Sequence, residues 1–129
     1  MNIQNQINSG LRNNEQILFL LVDGAEKPQG LPSGKMITDS DNVSFVYLLE
    51  GEDGYNHVYF PQAVWPYMLD VLTTETDPAI SWHEELIELP GFKDELMMLI
   101  YNIEGNDNYG EAFSSAVEAA FSTILQQTE

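Results

Sequence analysis

The chain has 129 residues and a net charge of −17, from 21 acidic and four basic residues. This length suits one domain with a core of its own, and a content of 43% hydrophobic residues excludes a disordered chain. The absence of cysteine excludes disulfides, thiol catalysis and zinc sites built on thiolates. We expect one α+β domain over residues 1–129, and we expect it in the cytoplasm. The Asn/Gln-rich start lacks the basic residues of a signal peptide, and no apolar run reaches the roughly 18 residues of a membrane span.

The negative charge is distributed unevenly. Residues 1–35 are neutral overall, whereas residues 36–129 hold 18 carboxylates and one base, Lys93. Such a surface repels nucleic acid and anionic membranes and attracts basic proteins. Direct binding to either polyanion is therefore not expected. The acidity has three possible origins: solubility in a saline cytoplasm, docking on a basic protein, or mimicry of a polyanion.

The first third of the chain predicts one buried strand between less regular segments. Residues 1–8 predict either a short edge strand or a frayed end. Gln16–Val22 is a continuous apolar run closed by Asp23-Gly24, which predicts a buried strand. Residues 25–35 carry two prolines and two glycines and predict an exposed loop.

A β-hairpin is the clearest element of the sequence. Val43–Leu49 and Tyr55–Phe60 are strand-like runs on either side of the turn residues Gly51–Gly54. The first run is apolar on both faces, which predicts a central strand with packed layers on each side. Just before it, Met36–Thr38 either begin a strand or lead into the turn Asp39–Asn42.

The second half predicts helices and a second, smaller hairpin. We expect a tight turn over 61–65 with a helix from 66 to about 74, followed by strands at Ala79–Trp82 and Leu86–Leu89. A second helix begins at Phe92 and is stopped by Gly105. The last helix begins at Asn108 as N-cap, with Glu111 as capping-box acid, and ends near Gln126. Together the elements predict an α+β fold: an antiparallel sheet of about five or six strands with three helices, the last two an antiparallel pair packed on one face.

Three segments carry a resemblance to a known family. DSDNVSFVYLLEGEDG (39–54), FPQAVWP (60–66) and ELPGFKDELMMLIYNIEGNDNYGE (88–111) resemble the uncharacterised YjbL-like family of short acidic proteins from Bacillus-type bacteria. The resemblance covers residues 36–122, and residues 1–35 match only loosely. It implies a cytoplasmic bacterial protein with no established activity, cofactor or catalytic residue. This chain is poorer in lysine than is usual in that family, which favours habitat as the cause of its charge.

The sequence does not predict a metal site or an enzyme. Three turns are rich in oxygen ligands, but turn and capping chemistry explains each of them: Asp39–Asn42, the acids Glu50, Glu52 and Asp53, and Glu104–Asn108. His57 and His83 are the only histidines, and a metal or catalytic site would need them in a cleft with perturbed acids. No nucleophile elbow or phosphate-binding loop is present. We therefore expect no catalytic residue and no cofactor.

One helix face is the best candidate for a partner contact. Met97, Met98 and Tyr101 lie off the main apolar stripe of the Phe92 helix, so they either enter the core or face a partner. The candidate partner-binding residues are Trp65, Met97, Met98 and Tyr101, with Asp94, Glu95 and Glu104 as an acidic rim. The first hypothesis is a protein-binding or regulatory module for a basic protein. The alternative is a nucleic-acid-mimicking inhibitor of a DNA- or RNA-binding protein, which needs carboxylates arrayed along one face at phosphate spacing.

Overall fold

The computed structural model describes residues 6–21 and 24–126. Expectations for residues 1–5, Val22 and Asp23 lie outside this part of the chain. The described residues form seven strands in two sheets and four α-helices, so the α+β class is confirmed. In chain order the elements are β1 (Ile7–Asn13), β2 (Gln16–Leu21), β3 (Leu31–Asp39), β4 (Ser44–Gly51), β5 (Gly54–Pro61), α1 (Trp65–Leu72), β6 (Ala79–Trp82), β7 (Glu85–Glu88), α2 (Phe92–Ile103), α3 (Glu111–Ala120) and α4 (Ser122–Gln126).

The predicted central hairpin is confirmed as β4 and β5. The two strands pair in register from Ser44 opposite Pro61 to Gly51 opposite Gly54, and β3 pairs with the other edge of β4. β4 is thus the middle strand of a three-stranded antiparallel sheet, and its residues 44–49 are all buried. The second predicted hairpin is also confirmed, as β6 and β7.

The expectation of a single antiparallel sheet is wrong. The second sheet has the order β1-β2-β6-β7, and β2 pairs with β6 in parallel, with Phe19 opposite Ile80. Parallel neighbours need a long crossover, which here contains the whole first sheet and α1. Between the two sheets one isolated bridge joins Gln6 to Tyr59.

Two edge strands extend well beyond what the sequence indicated. β1 occupies residues that are mostly polar, and its Gly10 leaves room for the Tyr67 ring, which lies 2.8 Å from where a Cβ would be. β3 begins at Leu31, so the predicted loop over 25–35 is wrong in its last five residues. An irregularity in the pairing between Pro32 and Lys35, with Gly34 at a φ of +76°, lets an edge strand carry these residues.

The helices pack against the core faces of both sheets. Aromatic rings join the layers, among them Phe19 against Phe60 at 4.9 Å and Phe45 against Trp65 at 5.2 Å between ring centroids. A short 3-10 turn over Gln62–Val64 leads into α1, close to the predicted tight turn and helix. None of the helices in the described part is long and apolar enough to cross a membrane.

The end of the chain differs from the prediction. The last helix is split into α3 and α4, because Phe121 departs from helical geometry with a φ of −112°. Its N-cap is Gly110 and not Asn108, whose amide instead donates to the Asn106 side chain at 3.0 Å within a 3-10 turn. The described chain therefore has four α-helices where three were expected, and α2 lies in contact with α3.

Candidate functional site

α2 carries most of the predicted partner-binding residues, and a side chain from outside the helix fixes its first turn. Asp77 accepts hydrogen bonds from the backbone amides of Gly91 at 3.2 Å and Lys93 at 2.9 Å. The amides of a first helical turn have no partners within the helix, so Asp77 replaces the missing cap. Gly91 itself is the N-cap residue and has no side chain to offer. The start of α2 is therefore tied to the segment that precedes β6.

The fully buried Tyr47 ties the same end of α2 to β3. Its hydroxyl donates to the Pro90 carbonyl at 2.7 Å and accepts from the Gly34 amide at 3.0 Å. Burial raises the pKa of Tyr47, the hydrogen bond from Gly34 lowers it, and the carboxylates of Asp77 and Glu95 raise it further. The side chain is thus a neutral structural link at ordinary pH.

Glu95 belongs to this junction and not to an exposed rim. It is half-buried, and its Oε1 accepts the Met36 amide of β3 at 3.1 Å. This bond occupies an amide on the open edge of β3 and fastens α2 alongside that edge. Glu95 therefore acts in the fold, whereas Asp94 beside it is exposed.

Trp65 belongs to the core, which corrects its place among the partner-binding candidates. The side chain is 1% exposed, and its Nε1 donates to the Phe60 carbonyl at 3.0 Å. Its ring packs on Phe45, Phe113 and Phe121. Met97 is half-buried and packs against the same core.

The remaining candidates form one exposed strip on α2, which we call the α2 surface: Asp94, Met98, Tyr101 and Glu104. Met98 is 48% exposed and Tyr101 is 37% exposed. Asp94, Met98 and Tyr101 are three or four residues apart and so are neighbours on the helix, and Glu104 follows as the C-cap residue of α2. Lys93 does not neutralise the two acids, because its amine contacts the Thr74 carbonyl. Within the described residues the single ion pair joins Lys27 to Glu85 at 2.5 Å.

The turns and histidines named from the sequence do not assemble into a site in the described part of the chain, which contains no group of three or more ligand residues able to hold a metal. The Asp39 carboxylate accepts both the amide and the side-chain nitrogen of Asn42, at 3.2 and 2.7 Å, as a turn requires. His57 is exposed on β5, and His83 is exposed in the β6–β7 turn of the other sheet.

A second exposed surface was missed in the sequence. The outer side of the β3–β4–β5 sheet presents five side chains, which we call the outer sheet face: Lys35, Ile37, Tyr55, His57 and Tyr59. The alternation of Tyr55, His57 and Tyr59 along β5 was a visible signal. An exposed face is nevertheless not expected from the sequence, because the apolar residues of β4 predict packed layers on both sides. An open groove of about 940 Å³ continues from Tyr55 to the acids of the hairpin tip, Glu50, Glu52 and Asp53.

Fold and surfaces together define a small acidic α+β domain with exposed apolar side chains beside uncompensated carboxylates. The chain belongs to UPF0738, a family of unknown function whose model matches residues 5–121. It is 42% identical over 113 residues to a UPF0738 protein of Lysinibacillus sphaericus strain C3-41, covering 88% of this chain and 89% of the relative.

Further relatives extend the same comparison. A UPF0738 protein of Bacillus thuringiensis strain Al Hakam is 32% identical over 117 residues, which cover 90% of this chain and 95% of the relative. One from Geobacillus sp. strain WCH70 is 40% identical over 95 residues, which cover 74% and 77%. No solved structure matches the chain. The resemblance to a bacterial family without known function is thus confirmed, and the family match begins at residue 5 and so includes most of the first third.

Proposed function

We propose that the protein is a non-enzymatic protein-binding module that docks on a basic partner in the cytoplasm through the α2 surface. The observation that carries this proposal is the exposure of Met98 and Tyr101 on one helix face between Asp94 and Glu104. Apolar and aromatic side chains supply affinity when a partner buries them, and the surrounding carboxylates steer a basic partner toward them.

The rigid attachment of α2 supports this role. Asp77, Tyr47 and Glu95 hold the N-terminal half of the helix to both sheets, so the α2 surface is preorganised and little conformational entropy is lost on docking. Burying the exposed parts of Met98 and Tyr101 would contribute about 1 kcal/mol each, since full burial of such side chains is worth about 1.5 to 3 kcal/mol. The net charge of −17 adds attraction that acts at longer range.

Mimicry of a nucleic acid is the alternative, and the hydrogen bonds of the carboxylates favour docking over it. A mimic needs its carboxylates free for the partner and aligned along one face. Here several of them accept hydrogen bonds from their own chain and are spread over separate elements: Asp39, Asp77, Glu88, Glu95 and Glu118.

The proposal is tested by affinity capture from a Bacillus lysate at about 0.1 M salt and again at about 1 M, where the Debye length falls to roughly 3 Å. Three baits are compared: the wild type, the double variant Met98→Ser/Tyr101→Ser, and Leu86→Ser as control. Leu86 is 50% exposed on β7 and so matches Met98 in exposure while lying outside α2.

The proposal predicts a basic partner that binds the wild type and Leu86→Ser at both salts and is lost from the double variant. Equal capture by all three baits would overturn the role of the α2 surface. Capture of nucleic-acid-binding proteins that leave at 1 M salt and are displaced by added DNA would favour mimicry instead.

A further inference from the structure

We propose that the outer sheet face binds an extended, arginine-containing segment of a basic protein, with the adjoining groove at the hairpin tip receiving further basic residues. The inference deepens the proposed function, on which it rests for the nature of the partner, and assigns this contact to a surface separate from α2.

The strand register places the outer sheet face on one side of the sheet. Lys35 and His57 lie on either side of Leu48, and Ile37 and Tyr59 lie on either side of Val46. Tyr55, two residues before His57 on β5, is opposite Glu50. Side chains on alternate strand residues share a face, so these rows form one continuous surface.

Within the described residues this surface has no covering layer. The helices pack on the opposite face of β4, where Phe45, Tyr47 and Leu49 join the core. Val46 and Leu48 lie outside that core, on the other side of β4, and are 1% and 7% exposed.

The exposed apolar groups of the face therefore lie on a sheet whose inner side is packed against the core, and their outer side faces solvent. Ile37 is 42% exposed and Tyr55 is 43% exposed, while His57 and Tyr59 stand 6.3 Å apart between ring centroids. This is an aromatic and aliphatic platform held by a regular sheet.

Lys35 contacts Tyr55 at its hydroxyl, at the edge of the ring. Its amine lies 5.7 Å from the centre of the Tyr55 ring and 3.3 Å from the Tyr55 hydroxyl. A positive charge over an aromatic ring is attracted by the electrons of the ring face. A guanidinium is planar and stacks on rings better than an ammonium, so an incoming arginine is favoured over lysine at Tyr55, His57 and Tyr59.

Carboxylates lie at both ends of the outer sheet face. Asp39 follows Ile37 by two residues on β3 and so lies on the same face, where its carboxylate, although bonded to Asn42, adds negative charge at the Tyr59 end. At the other end Tyr55 borders the groove that holds Glu50, Glu52 and Asp53. Aromatic rings beside carboxylates are the combination that recognises arginine, through stacking and paired hydrogen bonds.

Charge selects the occupant. A second copy of this chain would bring another 17 negative charges to the face, and a nucleic acid or an anionic membrane would be repelled in the same way. A basic segment removes this repulsion. The side chains of the face stand on alternate residues of each strand. This spacing favours an extended segment, whose alternate residues also project to one side.

The test uses two fluorescent eight-residue peptides, one alternating arginine with threonine and the other alternating lysine with threonine. Binding to the full chain is measured by anisotropy at about 0.15 M and about 0.5 M salt. We expect the arginine peptide to bind several-fold more tightly than the lysine peptide at both salts. Tyr55→Ala should weaken arginine-peptide binding about two- to fivefold, the value of one exposed cation–π contact.

Two further variants sharpen the test. Leu86→Ala, on β7 and outside both proposed surfaces, is the control, because its side chain is exposed to a similar degree, and it should leave peptide affinity unchanged. Lys35→Ala should raise the affinity, since it removes a positive charge beside Tyr55 that repels an incoming arginine.

Equal affinity for both peptides, no binding of either, or equal effects of Tyr55→Ala and Leu86→Ala would overturn the inference. Such a result would leave the proposed function standing if the lysate partner still depended on Met98 and Tyr101. The proposed function would fail separately if that partner were captured equally by the α2 double variant.

Discussion

Replacing Tyr47 with phenylalanine tests how α2 is held in place. The substitution keeps the buried ring and removes only the hydroxyl that links Pro90, at 2.7 Å, with Gly34, at 3.0 Å. Both lost partners are partly accessible, so water replaces some of the hydrogen bonding. We expect the free energy of unfolding to fall by about 1 to 2 kcal/mol, within the range for hydrogen bonds whose partners are left unsatisfied.

Urea unfolding followed by tryptophan fluorescence measures this change. The control is Tyr101→Phe, which removes an exposed hydroxyl and should change stability by less than about 0.5 kcal/mol. The slope of the free energy of unfolding against urea concentration should stay the same, since the core remains intact. Equal stabilities of Tyr47→Phe and the control would refute the structural role assigned to this hydroxyl.

The comparison of the wild type with Tyr47→Phe also gives a pH prediction. The pKa of Tyr47 is raised from its ordinary value of 10.0 in the folded protein, chiefly by burial. The folded state therefore retains a proton that the unfolded state releases above pH 10. Tyr47 contributes its full stabilisation below pH 10 and loses it as pH rises through the folded-state pKa. The stability difference between wild type and Tyr47→Phe should shrink above pH 10, and a constant difference would contradict this reasoning.

The remaining predictions concern the first turn of α2. Asp77→Ala removes the acceptor for the Gly91 and Lys93 amides and should lower the free energy of unfolding by about 1 to 2 kcal/mol. Asp77→Asn keeps one oxygen acceptor and should lower it less. Equal losses in urea unfolding would contradict the capping role. Gly91→Ala should lower the free energy of unfolding by about 1 to 3 kcal/mol, because the φ of Gly91 is +76° and the new Cβ would lie 3.2 Å from the Gly34 carbonyl oxygen. An unchanged urea midpoint would contradict this expectation and show that the backbone adapts.

The elements with strong local signals could be predicted from the sequence. The β4–β5 and β6–β7 hairpins have strand-like residues around turn residues, and α2 has a regular apolar stripe that ends before Gly105, whose φ is +67°. These signals depend on neighbours in the sequence. β1 and β3 were largely missed because edge strands tolerate polar residues, glycine and proline, and their pairing is decided by tertiary contacts.

The arrangement of the sheets was beyond local reasoning. The pairing of β2 with β6 depends on a crossover through about half of the described chain, and no residue of either strand signals its direction. The capping error at α3 has a different cause. Asn108 and Glu111 have the spacing of a capping box, but a 3-10 turn intervenes and Gly110, at a φ of +89°, starts the helix.

The candidate site was predicted in part. Met98 and Tyr101 lie off the apolar stripe of α2, and their exposure follows from that spacing. The spacing along α1 does not reveal which side of the helix faces the core, so Trp65 was a candidate partner-binding residue, whereas the structure buries it. The outer sheet face could not be predicted because apolar residues on both sides of β4 indicated two covering layers, whereas the helices pack on one side only within the described residues.

The most direct test of partner docking is an amide NMR map of the labelled 14.6 kDa chain, recorded with and without the partner captured from lysate. Docking through the α2 surface predicts that the largest chemical-shift changes fall between Asp94 and Glu104, with β7 unaffected. Changes confined to the outer sheet face would move the docking site there. Changes at neither surface would contradict the account of this chain as a protein-binding module.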